Sequence, residues 1–192
     1  MSDIDVLVSE VGPRDGLQSI DSIMSTDDKK KWIKAESEAG VREIEVGSFV
    51  RPDLLPQMAD TAEIVQYAKS LPNLTVAALV PNFKGAKNAI DAGVDKMCLP
   101  LSVSETHSKA NLNKSHEEVL AEIEQIVSAG TKVNIDHCIE ESMDEDCVEE
   151  LFEFFSESED ESIEAALSEF GDSYSEEELR LIRIKFLSDI AN

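Results

Sequence analysis

"LTVAALVP", Leu74 to Pro81, carries no charge and only one hydroxyl, and it is too short for an ordinary helix. A run of this kind is expected of a strand buried on both faces, as in a parallel sheet covered by helices. The neighbouring sequence fits. "DVLVSEV" (5–11) and "REIEVGSF" (42–49) read as strands one and two, and "DKMCLPLS" (95–102) as strand four. Helical patterns lie between them at 27–39, with Ser25 and Thr26 as cap candidates and Gly40 as its stop, at 60–69, and at 83–92 before Gly93. Strands return roughly every 30 residues, the period of βα units in a (β/α) barrel or a doubly wound sheet. "SETHSKANLN" reads as a loop or short helix, 115–129 as a helix ended by Gly130, and "TKVNIDHC" (131–138) as a fifth strand.

Beyond Cys138 this rhythm stops. "MDEDCVEELFEFF", "DESIEAALSEF" and "SEEELRLIRIKFLSDI" read as three helices, the last with Leu179, Ile182, Phe186 and Ile190 on one face. Ser175 and Glu178 form a capping-box pattern at its start. The expected architecture is α/β: a partial (β/α) TIM-type barrel of four to five parallel strands over 1–138, then an acidic all-helical C-terminal segment over 139–192. Acidic helices with one apolar stripe are expected to show a packing face and a solvated face.

Charge narrows the function classes. The chain has 192 residues and a net charge of −24, which argues against nucleic acid or an anionic membrane as partner, since both need a basic face. Residues 131–192 carry 20 acids and 4 bases, against 21 and 13 in residues 1–130. No apolar run reaches the roughly 18 residues of a membrane span, and the N-terminus lacks a secretory pattern, so a cytoplasmic location is expected. Cys98, Cys138 and Cys147 match no zinc or disulfide framework, in keeping with a reducing compartment.

In a parallel α/β domain the chemistry gathers at the C-terminal ends of the strands. After strand one, "EVGPRDGLQ" (10–18) places Arg14 and Asp15 in a corner bounded by Pro13 and Gly16. A carboxylate there can hold a hard divalent cation, and an adjacent arginine can bind a carboxylate or neutralise a developing enolate. The competing reading is a turn stabilised by Asp before Gly. In "REIEVGSF", alternation puts Glu43 and Glu45 on one face. Either they show acids to water from an edge strand, or they point into a barrel, where Arg14 is the candidate cation. Ser48, Asn82, Ser102, Ser104 and Glu105 stand near the ends of strands two to four. His137 beside Asp136 is a weaker ligand candidate, while His107 and His116 are expected in a loop and in a solvated first helical turn. H-x-H and G-x-G-x-x-G patterns are absent.

"EVGPRDGLQ", "AGVREIEVGSFVRPDLLPQMAD", "LVPNFKGAKNAIDAGVDK" and "SVSETHSKANLNKSHEEVL" together resemble, in order and spacing, the N-terminal half of the hydroxymethylglutaryl-CoA lyases. These belong to a wider family of metal-dependent TIM-barrel lyases and aldol-type synthases. The resemblance implies retro-aldol cleavage of 3-hydroxy-3-methylglutaryl-CoA to acetyl-CoA and acetoacetate, with an acyl-CoA as partner. It implies Asp15 as a ligand of Mg²⁺ or Mn²⁺, Arg14 at the enolate oxygen, Gln18 lining the corner, and Glu45 positioning Arg14 or meeting the substrate. The family's H-x-H pair, its following Asn and its glycine-loop Cys have no counterpart in this sequence, because the pattern ends near Cys138. The alternative is therefore a truncated or fused, inactive half barrel acting at most as a binding or interaction module. Its open parallel edge invites pairing with another chain, a homodimer of half barrels included.

Overall fold

The computed structural model describes residues 6–128, 139, 142–158 and 160–190. The chain divides into two compact units, Met1–Pro100 and Leu101–Asn192. The expected fifth strand (131–138), with His137 and Cys138, lies outside the described residues.

The first unit is built on four parallel strands: β1 (Ser9–Glu10), β2 (Glu43–Ser48), β3 (Thr75–Leu79) and β4 (Lys96–Cys98). Their order is β1-β2-β3-β4. Each strand pairs with its neighbour in sequence, with none of the reversal of strand order that defines a doubly wound sheet, so the arrangement is that of a partial (β/α) barrel. The helices between them are α1 (Thr26–Glu38), α2 (Thr61–Ala68) and α3 (Phe83–Ala92). Ser25 caps α1 by accepting from the Asp28 N–H, and Asn82 caps α3 by accepting from the Gly85 N–H. Ile44, Val46 and Val76, on the outward faces of β2 and β3, pack with Ile33 of α1 and Ile64, Val65 and Ala68 of α2. Removing each large aliphatic side chain from water there contributes about 2 kcal/mol.

The strands are shorter than their apolar runs. Of the described residues 6–11 only Ser9 and Glu10 pair, and Val6, Leu7 and Val8 are exposed. The ladder between β2 and β3 shifts between Glu45 and Ser48. Gly47 sits in this irregularity with the head of α2 against it: a Cβ there would lie 2.5 Å from Thr61 Oγ1. Thr61 uses that close approach, its hydroxyl bonding the backbone of Ser48 and the carbonyl of Met58.

The second unit is helical: α4 (Glu105–Leu112), α5 (His116–Ser128), α6 (Glu145–Glu157), α7 (Ile163–Phe170) and α8 (Glu176–Ile190). The Ser175–Glu178 capping box forms in both directions, with Glu178 N–H to Ser175 Oγ and Ser175 N–H to Glu178 Oε2. α8 departs from the one-stripe expectation. Leu179, Leu181, Ile182, Ile184 and Phe186 are all buried, while Ile190 is exposed. The helix is wrapped on several sides because α5, α6 and α7 all pack on it. Phe186 stacks on Phe155 and meets Phe152 edge-on. Glu124 of α5 reaches Arg180 at 3.0 Å and Arg183 at 3.4 Å.

Candidate active site

After β1 the backbone turns through a π-helical segment, Gly12–Gly16, in which the N–H groups of Arg14 and Asp15 both return to the Val11 carbonyl. Glu10 secures its start by accepting from the Gly12 N–H at 2.6 Å. A Cβ at Gly12 would collide with that carboxylate and with the Trp32 ring. Ser19 holds its far end through the Asp15 carbonyl, and Pro13 and Leu17 anchor it in the interior. The segment is thus a fixed platform at the C-terminal end of β1, with Arg14 and Asp15 projecting from it.

Arg14 lies over β2. Its Nε and Nη2 both bond Glu45 Oε2, at 2.7 and 2.6 Å. Its Nη1 meets Asp15 Oδ1 at 2.7 Å, and Gln18 Nε2 reaches the same oxygen at 3.4 Å. The four residues named from the sequence therefore form one cluster. Three of the guanidinium's five N–H donors are committed in it. The Asp15 carboxylate is 57% exposed, whereas that of Glu45 is 4% exposed. Glu45 is buried and paired, as expected of an inward barrel position and contrary to the water-facing alternative.

The same sheet face carries a second ion pair that sequence reading missed. Lys96 of β4 reaches Glu43 Oε1 at 2.9 Å, and this hydrogen bond is the main reason the lysine holds its proton more tightly than usual. Cys98, two residues further along β4, is a free thiol pushed up to about 11, first by burial and then by the negative charge of Glu45. The polar alternation of Lys96 and Cys98 was the available signal. Their partners depend on the register of three strands, which sequence alone does not supply.

Other candidates serve local structure. Asn82 and Ser104 are helix caps, Glu105 pairs with Lys109, and Ser48 Oγ is buried with no partner among the described residues. His107 lies in α4 and contacts the Ser102 hydroxyl at 2.9 Å. His116 is half-buried, with Glu177 3.6 Å away, where a solvated ring was expected. A cavity of about 1120 Å³ lies at the opposite ends of the strands around Arg42, Thr75 and Asp95 and includes none of the clustered residues.

Asp15 was the expected metal ligand. Among the described residues no group of three or more His, Cys, Asp and Glu side chains could hold a metal ion, and Asp15 Oδ1 already faces Arg14 and Gln18. This donor set does not fit a divalent cation by itself, since a stable oxygen site needs several ligands.

The HMGL-like family model matches residues 5–184. Over 130 residues the chain is 39% identical to a hydroxymethylglutaryl-CoA lyase of Bacillus subtilis, covering 68% of this chain and 44% of that protein. It is 42% identical to the mitochondrial hydroxymethylglutaryl-CoA lyase of Macaca fascicularis, covering 68% and 40%. The cytoplasmic 3-hydroxy-3-methylglutaryl-CoA lyase of Rattus norvegicus is 41% identical, with 68% and 38% covered. The chain thus spans about two fifths of the length of these curated relatives. The crystal structure of the B. subtilis HMG-CoA lyase superposes with a TM-score of 0.60 at 39% identity, over 64% of this chain and 41% of that one. An HMG-CoA lyase from Acinetobacter baumannii, solved with coenzyme A and 3-methylmalate, gives 0.61 at 36% identity, over 64% and 40%.

Proposed function

We propose, from the premise that the chain belongs to the HMGL-like family, that it carries the enolate-stabilising corner of a carbon–carbon lyase site for a 3-hydroxyacyl-CoA such as 3-hydroxy-3-methylglutaryl-CoA. The observation that carries this reading is the Arg14 guanidinium, fixed on Glu45 by two nitrogens and on Asp15 by the third.

In such a cleavage a base takes the 3-hydroxyl proton, the C2–C3 bond breaks, and its electron pair moves into the thioester carbonyl. The products are acetoacetate and the enolate of acetyl-CoA, which is then protonated at C2. Charge accumulates on the thioester oxygen, and a preorganised cation aimed at that oxygen stabilises the transition state more than the ground state. Arg14 is such a cation. Glu45 holds the guanidinium through two nitrogens, so that little reorganisation is needed during reaction. Gln18 orients the Asp15 carboxylate beside it. The acyl-CoA class is drawn from the relatives, one of them solved with coenzyme A.

Family membership supports a divalent cation in general, and Mg²⁺ or Mn²⁺ with Asp15 as one ligand is our choice. The described residues do not complete that site. The same fact favours a second reading, in which the half barrel binds an acyl-CoA without cleaving it. A cytoplasmic compartment remains part of the proposal, as for the rat relative.

The test uses the whole chain with HMG-CoA and millimolar Mg²⁺ or Mn²⁺, following acetyl-CoA and acetoacetate directly and the thermal midpoint in parallel. Product formation that is lost in Arg14→Met establishes the lyase. A ligand-dependent rise in midpoint without product leaves the binding reading, and neither response overturns both.

A further inference from the structure

We propose that Ser102 and His107 form a nucleophile–base pair that takes an activated acyl group, from an ester or thioester, onto the Ser102 oxygen. The proposal does not rest on the lyase reading, because neither residue belongs to the Arg14 cluster and the reaction leaves carbon–carbon bonds intact.

The pair is set by the start of α4. Ser102 lies in the connection from β4 (Lys96–Cys98) to α4 (Glu105–Leu112), the type of βα segment in which barrel enzymes keep their reactive groups. Ser104 caps the helix by accepting from the His107 N–H at 3.4 Å, which fixes the backbone that carries the imidazole. Ring nitrogen Nδ1 then stands 2.9 Å from Ser102 Oγ, within the reach required of a base for the proton it removes. Helix formation does not call for this contact, since Ser104 already supplies the cap. With the ring proton on Nε2, the Ser102 hydroxyl donates to Nδ1.

Two neighbouring features define how far the chemistry runs. The N–H groups of Glu105 and Thr106 open α4 without an intrahelical acceptor, and donors of this kind stabilise the oxyanion of an acyl transfer. The adjacent carboxylate, Glu105, pairs with Lys109 at 2.8 Å and not with the ring. A histidine without a carboxylate behind it is a much weaker catalyst.

In the first step Ser102 Oγ bonds to the acyl carbonyl carbon while His107 Nδ1 takes the hydroxyl proton. The bond from that carbon to the leaving oxygen or sulfur breaks, and the proton passes from Nδ1 to the departing group. Water then attacks the new ester, losing a proton to Nδ1, and the products are a carboxylic acid and the free serine. Because the ring lacks a carboxylate partner, this second step is slow and the acyl-serine accumulates.

The test uses the whole chain with p-nitrophenyl acetate as acyl donor. p-Nitrophenolate is expected to appear in a burst, with an acetyl group located on Ser102 by peptide mapping, which separates it from acetylated lysines and cysteines. In His107→Gln the rate of Ser102 acetylation is expected to fall about a hundredfold, the low end for loss of a general base. Ser102→Ala is expected to abolish the burst. His107 is exposed and Ser102 half-buried, so both variants are expected to keep the wild-type thermal midpoint. Acetyl groups on other residues only, or a rate at Ser102 unchanged in His107→Gln, overturns the proposal. Cleavage of HMG-CoA bears on neither readout, so the lyase reading and this one fail separately.

Discussion

Lys29 of α1 and Asp60, at the head of α2, form an ion pair 2.5 Å long, and the same ammonium reaches the Gln57 carbonyl. The lysine side chain is 4% exposed and the aspartate 20%. Thr26 adds a hydrogen bond to the other oxygen of Asp60. The pair therefore joins two helices behind the candidate site, and its halves are unequal. Asp60→Asn would strand a buried ammonium and is expected to cost about 3 kcal/mol in urea unfolding, whereas Lys29→Met leaves a carboxylate with access to water and costs about 1 kcal/mol. A Lys29→Met variant as damaged as Asp60→Asn would contradict this ordering.

Arg14 and Glu45 are expected to be energetically coupled. Arg14→Met leaves a carboxylate that is 4% exposed without its counter-ion, and should lower stability by about 3 kcal/mol. In a double-mutant cycle with Glu45→Met, the combined loss should fall short of the sum by 1 kcal/mol or more on the order of known couplings between touching residues. Additive losses would mean that the two side chains do not act as a pair in solution.

At Gly47 the constraint is steric. Gly47→Ala places a methyl 2.5 Å from Thr61 Oγ1 and 2.8 Å from its Cγ2, so β2 and α2 must separate. A destabilisation of about 2 kcal/mol is expected, as for an overpacked core. Adding Thr61→Ala removes both colliding atoms, at the loss of the hydroxyl's bonds to Ser48 and Met58. The double variant should accordingly be more stable than the sum of the single losses implies, by thermal or urea unfolding.

In the second unit, burial holds the Glu124 carboxyl above its usual range, outweighing the opposing influence of Arg180 and Arg183. A carboxyl raised on folding binds more protons in the native state than in the unfolded one. Its contribution is thus present below the unfolded value of 4.5 and is lost as pH rises through the higher native value. Comparing thermal midpoints of wild type and Glu124→Gln from pH 4 upward, the difference between them should shift in favour of the variant as pH increases. A difference that does not change with pH would show that the carboxyl is not raised.

Arg14, Asp15 and Glu45 were singled out by local signals, a Pro/Gly-bounded corner and an alternation that gives the two glutamates a common face, whereas Gln18 and the reading of the corner as more than a turn came from the family resemblance. That Arg14 meets Glu45 followed from electrostatic necessity once the carboxylate was turned inward. The Lys96–Glu43 pair was not legible, since it requires the register of β2, β3 and β4 together. Gly47 was passed over for a related reason: its role comes from Thr61, fourteen residues ahead in sequence and adjacent only after α2 has docked. At the N-terminus the apolar run overstated the strand, because exposed Val6, Leu7 and Val8 match the composition of a β-strand without a partner that buries them. In α8 the spacing of Leu179, Ile182 and Phe186 revealed one buried face, but Leu181 and Ile184 became core only because three other helices surround this one.

The order of strands in the sheet also bears on how the first unit is made. Ser9 pairs with Glu43, Glu43 with Thr75, and Ala77 with Lys96. Each pairing closes a single βα connection, so that among the described strands each finds a partner in its neighbour in sequence. Loop-closure entropy is thus met in small instalments, and native contacts can accumulate in the direction of synthesis, each βα increment docking on an edge already in place.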